Sequence, residues 1–183
     1  MDDQLLIKQV LAGNQQAFRM LISQHQRLVL HMIARLVDDE RDREELCQDV
    51  FIKVYSSLST FKQDSKLSTW IATIAYRMAL NYLRNKKLQT PEDDIDNINF
   101  QVGHEDRSFE NSDFSTFIQS LIKQMPVSYR TVLTLYYLEG FSYPEIVEVT
   151  QMPEGTVKNY LFRAKKKLKD LSKPYIGNEI DVI

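Results

Sequence analysis

The chain has 183 residues, 43 % of them hydrophobic and 26 % charged, with a formal net charge of −2. That length allows one or two domains with real cores, and no apolar run approaches the ~20 residues needed to cross a bilayer. A single cysteine, Cys47, excludes an internal disulfide framework and a cysteine-based zinc site, and its place on a helical stripe reads as a small core residue. The opening residues, MDDQLLIKQV, are acidic and lack a signal peptide's basic region and cleavage site, which places the chain in the cytoplasm.

In chain order, residues 2–12 read as a short helix closed by Gly13. Asn14 can cap a second helix that runs to about Leu36 on the stripe Phe18, Ile22, His25, Val29, Met32 and Leu36. His25 lies on that stripe and reads as a satisfied core histidine. His31, with Gln24, Arg27 and Arg35, falls on the polar side and reads as solvated. His104 sits in an acidic stretch, so nothing groups the histidines into a metal site.

The run DDERDREELCQDVFIKVYSSL begins with acids that favour a helix N-terminus and buries Leu46, Val50, Phe51, Val54, Tyr55 and Leu58. Glu44, Glu45, Gln48, Asp49 and Ile52 fall outside that stripe, which suits either a solvated face or a docking face for another protein. A polar loop, FKQDSK, then leads to a helix starting at Ser68. Residues 69–87 bury Ile71, Ile74, Ala75, Met78, Ala79, Tyr82 and Leu83 and display Arg77, Asn81, Arg84, Lys86 and Lys87. A lysine-bearing loop, Trp70 and a basic helix resemble the parts that hold unstacked bases. Trp70 serves equally well as a core anchor.

From Leu88 to Asp113 the periodicity dissolves into Asp, Asn, Glu and one proline, the composition of a flexible tether. Charge follows the same division. Residues 1–87 carry 13 basic and 10 acidic groups, residues 88–117 carry 1 and 8, and residues 118–183 carry 9 and 7. An acidic middle between two mildly basic pieces makes whole-chain charge a poor guide to partners.

The second piece opens with an amphipathic helix on Phe114, Phe117, Ile118, Leu121 and Ile122, interrupted at Met125-Pro126. Residues 129–139 continue with Val132, Leu133, Tyr136 and Tyr137 inward, and Gly140 ends the turn. Ser142 and Glu145 have capping-box spacing, and Pro153 suits the first position of the next helix. Gly155 leaves room where two helices cross. The stretch GTVKNYLFRAKKKLKDL repeats Val157, Leu161, Ala164, Leu168 and Leu171 inward. Its other face carries Lys158, Asn159, Phe162, Arg163, Lys165, Lys166 and Lys169, with six basic and no acidic residues between Lys158 and Lys169. A capped short helix, a tight turn and a cationic helix make a helix-turn-helix whose second helix enters a DNA major groove. An ordinary helical hairpin with a solvated basic face has the same pattern. The short run IVEVT alternates like a strand but lies between a capping box and a turn, so it belongs to a helix. PYIGNEIDVI is unassigned. There is no phosphate-cradling glycine loop, nucleophile elbow or metal-ligand spacing, so neither an enzyme nor a cofactor is expected.

Two long segments carry a family likeness. EELCQDVFIKVYSSLSTFKQDSKLSTWIATIAYRMALNYLR resembles the promoter-melting region of bacterial RNA polymerase sigma factors, and MPVSYRTVLTLYYLEGFSYPEIVEVTQMPEGTVKNYLFRAKKKL resembles their other DNA-binding region. Two regions in this order, with a short linker, are similar to the extracytoplasmic-function (ECF) subfamily. The resemblance implies an all-α chain of two small helical domains joined by an acidic flexible linker. Residues 1–88 would be region-2-like, 89–113 the linker, 114–173 the region-4-like helix-turn-helix domain and 174–183 a tail.

It also implies roles. Glu44, Gln48, Asp49 and Ile52 would bind the polymerase core at its β′ clamp helices, and the second domain would meet the β flap. The loop Lys62, Gln63, Asp64, Ser65 and Lys66, with Trp70, Arg77, Asn81 and Arg84, would capture the opened −10 element. Lys158, Asn159, Phe162 and Arg163 would read the −35 element as duplex, with phosphate contacts around Thr156 and Lys166. An anti-sigma factor is the other implied partner, one that can hold the chain at a membrane. One departure stands out. Where the family commonly shows asparagine after an IA pair, this chain has Arg77, which cannot accept a hydrogen bond as an amide does. A dimeric helix-turn-helix regulator explains the second piece but not residues 61–87, and an adaptor with no DNA role would leave the lysines of 158–169 as solubilising charge.

Overall fold

The computed structural model describes residues 3–89 and 114–176, and every element among them is helical. Most of the expected tether and tail, and His104, lie outside the described residues. Four helices form the first half: α1 (Asp3–Leu11), α2 (Gln15–Ala34), α3 (Glu40–Ser57) and α4 (Leu67–Gln89), with a 3₁₀ turn at Leu58–Thr60. The second half has α5 (Phe114–Lys123), α6 (Val127–Leu133), a π-turn (Thr134–Leu138), α7 (Tyr143–Thr150) and α8 (Glu154–Ile176).

The local signals place the helix ends. Gly13 and Gly140 both have positive φ, at 83° and 68°, and Asn14 Oδ1 accepts from the N–H groups of Gln16 and Ala17 at 2.9 and 3.2 Å. Asp39 caps α3 by accepting from Asp42 N–H at 3.0 Å. At α7 the Glu145 carboxylate accepts from the Ser142 N–H at 2.8 Å and from its hydroxyl at 2.6 Å. Pro153 lies one place earlier than expected. Its carbonyl accepts from Thr156 and Val157 at 2.8 and 3.1 Å, so it precedes α8 instead of opening it.

Other details depart from the sequence reading. Gly155 is not needed for a close crossing, because a Cβ built there meets nothing within 4 Å. The tight turn is carried by Gln151 in the left-handed conformation, φ 60°. α8 continues through Pro174, which has no N–H to give the Asp170 carbonyl four residues back, and Tyr175 packs its ring 5.2 Å from that of Phe117. Tyr55 is exposed instead of buried, packing its ring 4.8 Å from Phe18. Cys47 is half-buried at the core's edge.

The halves share one contiguous core. α4 packs on α2 and α3 with one side and along α7 with the other. That second contact explains why Ala72 and Tyr76, absent from the expected stripe, are buried while Ile74, Met78, Tyr82 and Leu83 are only partly so. His31 is not simply solvated. Its Nδ1 lies 2.5 Å from Glu139 Oε1 just past the π-turn. Nor is His25 satisfied, since its buried Nε2 has no hydrogen-bond partner, and burial lowers its pKa against the opposing charge of Asp3. Arg130 of α6 is buried with its charge field shared by Asp38 and Arg35 of the first half.

Candidate functional site

Three surfaces collect the residues singled out by sequence. The first is the outer face of α8. Val157, Leu161, Ala164 and Leu168 anchor the helix in the core, which leaves Lys158, Asn159, Phe162, Arg163 and Lys166 exposed. Phe162 is 70 % exposed, a large apolar ring set among cations. Such a ring gains nothing from water and suits a partner's apolar group, as a thymine methyl is. Thr156 sits half-buried in the first turn. Lys158 is engaged on its own helix, 2.6 Å from Glu154, and this carboxylate raises its pKa.

The second surface is the loop at residues 61–66 and the exposed side of α4. Lys62, Gln63 and Asp64 are exposed, and Gln63 adopts positive φ at 61°, a strained backbone state for a residue with a side chain. Ser65 is half-buried. Trp70 is half-buried too, its ring 5.2 Å from Phe61, so it anchors the loop while keeping part of its face open. Arg77, Asn81 and Arg84 recur at steps of four and three along one exposed side. Arg84 donates to Asn81 Oδ1 at 3.3 Å. Lys66 is held differently, with its ammonium 2.8 Å from Glu145 on α7.

The third surface lies on α3. Glu44, Gln48 and Asp49 are exposed and Ile52 is 66 % exposed. Beside them a groove of about 630 Å³ runs between α2 and α3, lined by Phe18, Ile22, Leu30, Cys47, Phe51 and Ile52 among others. Leu30, half exposed, was missed by the sequence reading because α2 was counted inward on one stripe only. An apolar groove rimmed by Arg27, Gln26 and Gln48 fits an amphipathic helix of a partner. No group of three or more metal-ligating side chains occurs among the described residues, and no described helix is long and apolar enough to cross a membrane.

Family models match both halves of the chain. Residues 21–89 match the sigma-70 region 2 model and residues 118–168 the sigma-70, region 4 model. The chain is 31 % identical to the RNA polymerase sigma-H factor of Pseudomonas aeruginosa, over 95 % of each chain. It is 33 % identical to the ECF RNA polymerase sigma-E factor of Escherichia coli, over 95 % of this chain and 96 % of the relative. Among solved structures, it shares its fold with CnrH in complex with the cytosolic domain of CnrY (TM-score 0.67, 22 % identity, 94 % and 98 % of the two chains). It likewise shares its fold with RpoE bound to the anti-sigma factor NepR from Bartonella quintana (TM-score 0.68, 19 % identity, 85 % and 96 %). The two matched regions stand in order around the helix-turn-helix and the loop-bearing helix just described, and the chain belongs to the ECF group of the sigma-70 family of RNA polymerase sigma factors.

Proposed function

We propose that this sigma factor divides its work among the three surfaces. α8 reads the −35 element as duplex through Lys158, Asn159, Phe162 and Arg163, with Thr156 and Lys166 at the backbone. Asparagine pairs bidentately with adenine and arginine with guanine, which gives that face its means of choosing bases. Lys62, Gln63, Asp64, Ser65 and Lys66, with Trp70, Arg77, Asn81 and Arg84, hold the opened −10 strand. Unstacking each base costs a few kcal/mol, and the fixed loop and tryptophan offset it. Glu44, Gln48, Asp49 and Ile52, with the neighbouring groove, dock the β′ clamp helices of core polymerase. Residues 1–88 and 114–173 act as separate domains on the promoter, the factor works in the cytoplasm, and an anti-sigma factor competes for its surfaces.

The observation that supports this reading best is the exposure of an amide, an aromatic and two cations on one face of a helix whose other face buries Val157, Leu161, Ala164 and Leu168. Reconstituted with core polymerase, the chain should protect a −35 duplex and make −10 thymines reactive to permanganate. Asn159→Ala with Arg163→Ala should remove the protection, whereas Asn81→Ala with Arg84→Ala should remove the reactivity while −35 protection survives. If both pairs abolish both signals equally, the division of labour is wrong.

A further inference from the structure

The part of α4 that carries Asn81 and Arg84 has little core beneath it. Ile71, Ala72, Ala75, Tyr76 and Ala79 are buried, but none of residues 80–86 is. Tyr82 and Leu83 are only half-buried there. A helix end with few buried contacts frays, because most helical stability in a protein comes from the packing of one face. Side chains that hold a ligand in a fixed place need a fixed element under them.

A polar brace takes the place of that core. Asp42 stands in the first turn of α3, and Tyr82 and Lys86 extend the inward stripe of Ala75 and Ala79 at steps of three and four. The Tyr82 hydroxyl donates to the Asp42 carboxylate. It accepts from Lys86 Nζ at 3.0 Å, and the same ammonium lies 3.5 Å from Asp42 Oδ2. The hydroxyl thus uses its donor and an acceptor site together, and a carboxylate partner makes its bond stronger than one between neutral groups. Lys86 also reaches over the Tyr82 ring, 5.5 Å from its centre. Burial, followed by the bond to Asp42, raises the Tyr82 pKa, which keeps on the phenol the proton it donates. Arg84 follows Tyr82 by two residues, about 200° around the helix, so the brace and the strand-holding side chains point to different sides.

We propose that Asp42 and Tyr82, joined by Lys86, are positioning residues for promoter opening: they pin the second half of α4 to α3 and so fix where Asn81 and Arg84 meet the −10 strand. The brace rests on the reading of α4 as a helix that holds this strand. It acts only through the side chains it places.

The test is binding of the complete holoenzyme to a fluorescent single-stranded −10 oligonucleotide, read by anisotropy. Tyr82→Phe keeps the ring under Lys86 and removes only the hydroxyl. It should weaken binding roughly 2- to 10-fold, the range for one hydrogen bond. In a background of Asn81→Ala with Arg84→Ala, where the loop and Trp70 still give measurable binding, Tyr82→Phe should cost nothing more, because the brace has no side chain left to place. A general loss of stability would weaken both backgrounds alike. Hydrogen exchange on the free chain reads the pinning itself: amides 81–86 should exchange several-fold faster in Tyr82→Phe, while those of 71–78 keep their rates. Native affinity or native exchange in Tyr82→Phe would overturn the brace, as would a loss that persists undiminished in the Asn81→Ala, Arg84→Ala background. That background also separates the two levels. If it binds weakly while Tyr82→Phe binds normally, only the brace fails; if it binds like wild type, the reading of α4 fails with it.

Discussion

Lys66 Nζ lies 2.8 Å from Glu145 Oε1, which ties the loop before α4 to the first turn of α7. The other carboxylate oxygen accepts from Ser142, so one side chain both caps a helix of the helix-turn-helix and holds the loop assigned to the −10 strand. The His31–Glu139 contact makes a second tie between the halves. Elements named −10 and −35 lie about 25 base pairs apart, roughly 85 Å on straight B-DNA at 3.4 Å per pair. Residues 90–113 can reach roughly 80 Å when extended. Engaging both elements therefore requires the halves to part. A chain carrying K66C and E145C in a Cys47→Ser background, joined by a cleavable bis-maleimide, should give no open complexes until the linker is cut. Full activity while the link is intact would contradict an obligatory opening.

The same carboxylate gives a pH signature. Burial alone would raise Glu145, but the Lys66 ammonium and the two bonds from Ser142 outweigh it and bring the pKa from 4.5 down to about 2. A carboxyl depressed in the folded state adds stability that is fully present above about pH 4.5 and is lost as the pH falls toward 2. Lys66→Ala should cost no more than about 1 kcal/mol at pH 7, because the lysine is largely exposed and solvent screens the pair. In urea unfolding, the gap between wild type and Lys66→Ala should narrow as the pH is lowered through this window. A gap independent of pH would mean that the ion pair contributes nothing.

Arg77 occupies the exposed side of α4 with Asn81 and Arg84. Its guanidinium offers donors in a fork, suited to guanine or phosphate and unsuited to a site that needs an acceptor. Arg77→Ala should weaken promoter opening by about 1–3 kcal/mol, with affinity for core polymerase unchanged. Equal open-complex formation in the variant and wild type would remove Arg77 from the DNA path.

Ile52 tests the docking face. At 66 % exposure it contributes little to the core, so Ile52→Asp should shift folding stability by no more than about 0.5 kcal/mol. Placing a charge beside the α2–α3 groove should weaken core-polymerase binding about 10-fold or more, the cost expected at a buried anchor of an interface. Native affinity in a titration of labelled variant against core polymerase would move the interface elsewhere.

Most of the helices were legible because the signals are local. Asn14, Asp39, Gly13, Gly140 and the Ser142–Glu145 box act within one turn, and the stripes of α2, α3 and α8 follow a single period. What escaped was set by contacts between the halves. Tyr76 and Ala72 are buried on a helix that also packs along α7, and His31 is engaged because Glu139 arrives from the far side of the chain. Periodicity in α4 cannot show a second buried side whose partner lies about 70 residues away. The π-turn was invisible for another reason: Tyr136 and Tyr137 fit an α-helical stripe, and the widening depends on packing around them. Of the candidate site, the exposed faces of α8 and α3 were readable as gaps in the stripes, whereas the tie on Lys66 was not.

The central claim is that this chain confers promoter-specific initiation on core polymerase. Run-off transcription with purified core polymerase across a promoter library, with and without the chain, tests it most directly. The account predicts transcripts that depend on the chain and share a two-part promoter, with Asn159→Ala and Arg163→Ala altering only the upstream part. Binding of duplex DNA without association with core polymerase, and without chain-dependent transcripts, would contradict it.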